Sequence, residues 1–184
     1  TQDSDFDDTE YADYVETVGE MNCMSIDNWR LANVNTLICD TYRAIHKISN
    51  DVDFGISPQG NIDNNAKIYA DVKTWCICKG FVDYICPQLY YSLDNPALTF
   101  EDSLTAWSNL DINKSVKLYV GLAGYKANSD ADEGTWLYSN NILADEYKTA
   151  VNNEKVSGIM LYSYSALKDE NASTEIANLT KAMS

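Results

Sequence analysis

Short apolar runs alternate with longer amphipathic stretches along this chain, an order that predicts βα units packed on a parallel sheet. Residues 25–49 read as one helix: Ile26, Trp29, Val34, Leu37, Ile38, Ile45 and Ile48 share a face, Ser25 is placed to cap it, and Asp27 suits its first turn. A strand follows in DFGIS (53–57), then the turn-rich PQGNIDNN, then a helix predicted over 65–79 with Ile68, Val72, Trp75 and Cys76 on one side and Gly80 to end it. VDYICPQLYY (82–91) begins as a buried strand and finishes in an amide and two phenols. Thr99, with Asp102 three residues on, opens a helix carrying Leu104, Trp107 and Leu110.

KLYVGLAGY (117–125) reads as a third strand, with Leu118, Val120 and Leu122 toward helices and Gly121 and Ala123 toward a crowded interior. A polar loop, a helix over 140–152, a strand in SGIMLYSYS (157–165) and a helix over 173–183 complete the series. Four strands are each followed by a helix, and one helix precedes them. That pattern predicts an α/β fold, the carboxyl-terminal half of a (β/α)8 TIM-type barrel, with 1–184 forming one partial domain that holds strands five to eight. Its two parallel edges are expected to be covered by the missing amino-terminal half of the barrel or by a second copy of the chain.

Composition trims the possibilities. With 184 residues, 45% of them hydrophobic, the chain can bury a core. Its formal charge of -15, from 28 acids against 13 bases, repels phosphate backbones, so no nucleic acid is expected as a partner. Acids crowd the first twenty residues (Asp3, Asp5, Asp7, Asp8, Glu10, Asp13, Glu16 and Glu20), a segment that reads as a solvated acidic loop. No run approaches the roughly 18 apolar residues a membrane span needs. Beginning at Thr1, the chain reads as a processed product or an excised piece.

The five cysteines, Cys23, Cys39, Cys76, Cys78 and Cys86, lack the paired CxxC spacing of a zinc site and read as structural thiols; no metal and no cofactor is expected. His46, the single histidine, falls off the apolar stripe of its helix and is expected to face solvent.

Ligands of parallel α/β folds meet the carboxyl ends of the strands, where the βα loops gather. At those ends this chain offers Ser57-Pro58-Gln59-Gly60, then Gln88, Tyr90 and Tyr91, then Gly124-Tyr125, and finally Tyr162-Ser163-Tyr164-Ser165. Amides, hydroxyls and aromatic rings dominate, and charge is scarce. Such a lining suits a sugar, whose hydroxyls need donors and acceptors and whose C–H faces rest on rings. A phosphate would call for Arg, Lys or a glycine cradle.

Substrate-binding candidates are therefore Ser57, Gln59, Gln88, Tyr90, Tyr91, Tyr125, Ser163 and Tyr164. Catalytic residues stay unassigned. Glycoside hydrolysis needs two carboxylates, yet no Asp or Glu ends a strand; Asp83 begins one, and only the loop acids Asp7, Asp8, Asp94 and Asp130 remain. No GxSxG elbow is present for a serine nucleophile.

Taken in order, DNWRLANVN (27–35), FGISPQGN (54–61), YADVKTW (69–75), VDYICPQLYY (82–91), VKLYVGLAGYK (116–126) and GIMLYSYSAL (158–167) resemble the family-10-like glycosyl hydrolases of bacterial cell envelopes, from about residue 6 onward. The resemblance implies a TIM-type barrel acting on a glycan, with peptidoglycan-derived or related amino-sugar chains as substrates and an extracellular or cell-envelope location. It carries a lining role over to Ser57, Gln59, Gln88, Tyr90, Tyr125 and Ser163. It also implies that the family's Asp-Asp motif at the end of the fourth barrel strand precedes this chain, so Asp7 and Asp8 do not inherit its role. After the SP-x-G turn the family often has Trp and Arg, where this sequence has Asn61, Ile62, Asp63 and Asn64. The expected activity is carboxylate acid/base hydrolysis in the intact protein, with this half inactive alone. The alternative is a catalytically inactive glycan-binding or structural barrel.

Overall fold

The computed structural model describes residues 5–184. Four parallel strands, β1 (Gly55–Ile56), β2 (Tyr84–Ile85), β3 (Lys117–Ala123) and β4 (Val156–Tyr162), form one sheet in chain order. This is an α/β arrangement consistent with part of a TIM-type barrel. Two helices precede the sheet, α1 (Asp8–Val18) and α2 (Ile26–Ile48). Between the strands run α3 (Ile62–Ala66), α4 (Val72–Ile77), α5 (Phe100–Ser108) and α6 (Ile142–Val151), and α7 (Ser173–Ala182) follows β4. No helix of the described residues is long and apolar enough to cross a membrane.

Strand alternation sorts the side chains. Ile85, Leu118, Val120 and Leu122 are buried in one core with Trp75 and Cys76 of α4, Leu104 and Trp107 of α5, Leu143 and Ala150 of α6 and Leu179 of α7. The opposite face carries Tyr84 and Tyr119, in edge contact at 5.5 Å, and across the β3–β4 register Gly158, Met160 and Tyr162. Gly55 makes room on that face, because a Cβ there would fall 2.2 Å from the Tyr84 ring.

Local chemistry sets several boundaries. Ser25 accepts from the Asn28 amide to start α2, and Thr99 accepts from the Asp102 amide at 3.0 Å to start α5. Glu175 is buried in α7 and accepts from the amides of Ile142 and Leu143, both at 3.0 Å, which caps α6 from a neighbouring helix.

Four expectations need correction. The acidic amino-terminal segment is helical from Asp8: Tyr11 and Tyr14 lie three residues apart and pack on Trp29 at 5.5 and 6.0 Å, so an aromatic stripe outweighs the charge. Asp3 of that segment lies outside the described residues. The single helix expected over 65–79 is two, because Tyr69 turns to φ 57 and Asp71 re-caps the chain through the Thr74 amide. Gly80 is left-handed at φ 91 but lies beyond the helix end at Ile77.

His46 does not face solvent. Its side chain is 18% exposed, its Nε2 lies 2.9 Å from Asp83, and its ring sits 4.2 Å from that of Tyr42. The thiols are mixed: Cys76 and Cys86 are buried, which pushes them up to about 12 and about 11, whereas Cys23 and Cys39 are partly exposed and Cys78 is exposed.

Candidate functional site

The carboxyl ends of β1, β2 and β3 are stitched by main-chain bonds that continue past the regular strands. Gln88 bridges in parallel to both Gln59 and Gly121; its amide donates to Pro58 O at 2.9 Å, and the Gly121 amide donates to Pro87 O at 3.0 Å. The Gln88 side chain spans the same gap, Nε2 donating to Ser57 O at 2.9 Å. Ser57, Gln59 and Gln88 are thus brought together, with the first two exposed and Gln88 half-buried.

Three side chains hold the 57–61 turn from beneath. Asn65 is buried, accepts from the Gln59 amide at 3.0 Å and donates to Gln59 O at 2.8 Å and Asn61 O at 3.2 Å. Ser103 Oγ and Trp107 Nε1 both donate to Gly60 O, at 3.1 and 2.7 Å. Gly60 itself has no spare volume: a Cβ would meet Gln88 O at 2.3 Å and the Tyr91 ring at 2.8 Å. Tyr91 therefore serves the turn, its ring beside Gly60 and its hydroxyl raised by burial, while Tyr90 points the other way, as neighbours on an extended chain must.

Tyr90 meets two other rings. Its centroid is 5.8 Å from Tyr125, at 81°, and 5.8 Å from Tyr162, at 24°; Tyr125 and Tyr162 lie 5.9 Å apart at 90°. Burial pushes the Tyr90 hydroxyl up to about 12, so it stays protonated and is a hydrogen-bond donor at any physiological pH. Ser163 pairs with Ser165 through their hydroxyls at 2.7 Å. Tyr164 stands apart from the three rings, with the Lys168 ammonium 4.8 Å from its centroid.

A charged pair lies behind the aromatic group. Lys126 Nζ donates to Tyr90 O and to Asp132, both at 2.7 Å, and Asp132 also accepts from Trp136 Nε1 at 2.9 Å and the Ser92 amide at 3.2 Å. Burial pushes the Asp132 carboxyl up, but the hydrogen bonds from Lys126 and Trp136 outweigh it and hold the group below the usual carboxylate range. The backbone is left-handed at Asp132 and Glu133, φ 52 and 59, a conformation this bonding has to support. Deeper still, Glu146 is fully buried, and among the described residues neither of its oxygens finds a partner. Burial, then the nearby Glu175 and Asp132, raise its carboxyl well above the ordinary value.

Among the acids that sequence left open, Asp7 is engaged by Arg30, whose Nε donates to it at 2.9 Å, and those hydrogen bonds hold its carboxyl low. Asp8, Asp94 and Asp130 are exposed. No group of three or more His, Cys, Asp or Glu suited to a metal ion occurs among the described residues.

Tyr162 stood in the strand-end stretch but was not selected, Ser163 and Tyr164 being preferred. Period-two counting from Gly158 through Met160 would have selected it. Sequence reasoning missed Asn65, Ser103, Trp107, Lys126 and Asp132. Each serves the site through loop carbonyls and amides, which leave no periodic trace.

The family model described as Glycosyl hydrolase-like 10 matches residues 3–138. Glycosyl hydrolase YngK of Bacillus subtilis is 35% identical over 133 residues, covering 64% of this chain and 26% of that protein. Glycosyl hydrolase DigH of Escherichia coli K12 is 26% identical over 153 residues, covering 73% of this chain and 35% of that protein. The chain thus spans about a quarter to a third of the length of these relatives.

Proposed function

The chain belongs to the glycosyl hydrolase-like 10 family, and from that premise we propose that its four βα units and preceding helix are strands five to eight of a (β/α)8 barrel whose mouth binds a glycan. The substrate is a bacterial envelope glycan such as a peptidoglycan-derived amino-sugar chain, met outside the cell or in its envelope. The observation that carries this reading is the neutral strand-end surface of Ser57, Gln59, Gln88, Tyr90 and Tyr125, with hydroxyls, amides and ring faces in one place and the nearest ion pair turned behind it. Such a surface satisfies sugar hydroxyls without desolvating a fixed charge.

Chemistry in the intact protein is hydrolysis by two carboxylates, one protonating the glycosidic oxygen while the other attacks the sugar or activates water. Within this chain Asp7 is committed to Arg30, and the loop acids Asp8, Asp94 and Asp130 are exposed, with none of them ending a strand. The acids accordingly come from the first barrel half, and residues 1–184 supply one side of the substrate groove. A second copy of the chain is the other source of cover for the sheet edges. The same committed and exposed acids favour the second reading, a glycan-binding barrel without turnover.

The test is incubation of the intact protein with soluble amino-sugar chains and a count of new reducing ends. Hydrolysis is expected, with Gln88→Ala lowering both binding and turnover several-fold. Binding without new ends selects the second reading, and an unchanged Gln88→Ala variant removes the lining role.

A further inference from the structure

The three aromatic rings at the strand ends are too close together to grip a sugar between them. A pyranose between two rings keeps about 3.5–4.0 Å from the atoms of each, so a sandwich needs centroids roughly 7–8 Å apart. Tyr90 and Tyr162 are 5.8 Å apart and inclined at 24°, an offset stack with no room for a pyranose between them. Tyr125 stands nearly perpendicular to both, at 81° and 90°. Tyr90 is half-buried inside this group, whereas Tyr162 is 57% exposed. Tyr125 is 49% exposed, so Tyr162 is the most open of the three rings, and its solvent-facing side is the largest ring surface the cluster offers.

We propose that this face is the platform on which one pyranose unit of the glycan rests through its C–H groups. The inference builds on the glycan reading above and adds the residue that reads ring shape rather than hydroxyl pattern. Three features suit Tyr162 to the task. It ends β4, a strand paired with β3 along its length, so its backbone is fixed. Tyr90 and Tyr125 both lie against the ring, with centroids 5.8 and 5.9 Å away, so little rotamer freedom is left to lose on binding. Its register partner Ala123 is completely buried, so the ring stands on packed chain. An ammonium ligand fits less well: the rings touch one another instead of surrounding a void, so no cage is left for a cation.

The experiment measures binding of soluble β-1,4-linked N-acetylglucosamine oligomers to the intact protein by calorimetry, for wild type, Tyr162→Ala, Tyr162→Phe and Gln88→Ala, with thermal midpoints recorded for each. Tyr162→Ala is expected to weaken binding on the order of tenfold, about 1.4 kcal/mol, with a drop of a few degrees in the midpoint from the lost ring contacts and the protein still folded at the assay temperature. Tyr162→Phe, which keeps the ring, is expected to rescue it. Wild-type affinity in Tyr162→Ala, alongside a weakened Gln88→Ala, overturns the platform and leaves the glycan reading standing. A Phe variant as weak as the Ala variant also overturns it, because the hydroxyl and not the ring face would then bind. If wild type binds none of these oligomers, the glycan reading falls and the platform with it.

Discussion

The two rims of the sheet are built from opposite chemistry. At the amino ends of the strands Asp83 gathers the Phe54 amide at 2.8 Å, His46 at 2.9 Å and the Tyr42 hydroxyl at 3.4 Å, tying α2 to β1 and β2, and Lys117 pairs with Asp53 at 3.2 Å. At the carboxyl ends amides and phenols line the surface, and the supporting charge, Lys126 with Asp132, is turned inward to hold Tyr90 O. Ionic bonds thus secure the chain where only stability is at stake. They are kept beneath the surface where a neutral ligand would have to displace their water.

Asp83→Ala should strike hardest at this contrast. It removes the acceptor for three donors and is expected to cost roughly 2–3 kcal/mol in urea unfolding, with glycan affinity of the folded protein unchanged. A matching loss of affinity would show that the rims are not separate in function. Gly60→Ala probes the other rim. Its Cβ would enter the space of Gln88 O, so about 2 kcal/mol of overpacking is expected, together with a loss of glycan binding larger than any from Asp83→Ala.

Glu146→Met tests the buried, unpartnered carboxyl behind the carboxyl rim and should raise stability by about 1 kcal/mol at neutral pH. A carboxyl raised in the folded state has its penalty absent below its ordinary unfolded value and growing as pH rises above it. The gain should therefore shrink as pH falls toward that ordinary value, which paired urea titrations across pH would read. Lys117→Ala closes the series. Its ion pair is half-exposed, and a change under about 0.5 kcal/mol is expected in the same assay.

Much of the architecture was legible because it repeats. The four strands, the caps at Ser25 and Thr99, and the inward set Leu118, Val120 and Leu122 all follow from periods of 3.6 and 2.0 and from capping chemistry. What escaped was set by contacts across the chain. His46 looked solvated because its partner Asp83 lies 37 positions away, and the break at Tyr69 depends on a ring whose hydroxyl reaches Asp27. The strand-end candidates were found by position, and the structure sorts them: Ser57, Gln59 and Gln88 share a bonded corner, Tyr90 and Tyr125 share the ring cluster, Tyr91 braces a turn, and Tyr164 stands aside.

Trp107 gives this protein a built-in optical gauge. Its indole is completely buried and its N–H grips the carbonyl of Gly60, so any ligand that shifts the 57–61 turn alters the polarity and bonding felt by that chromophore. Ultraviolet emission, with no attached dye, would then carry a signal from that turn above the emission of Trp29, Trp75 and Trp136.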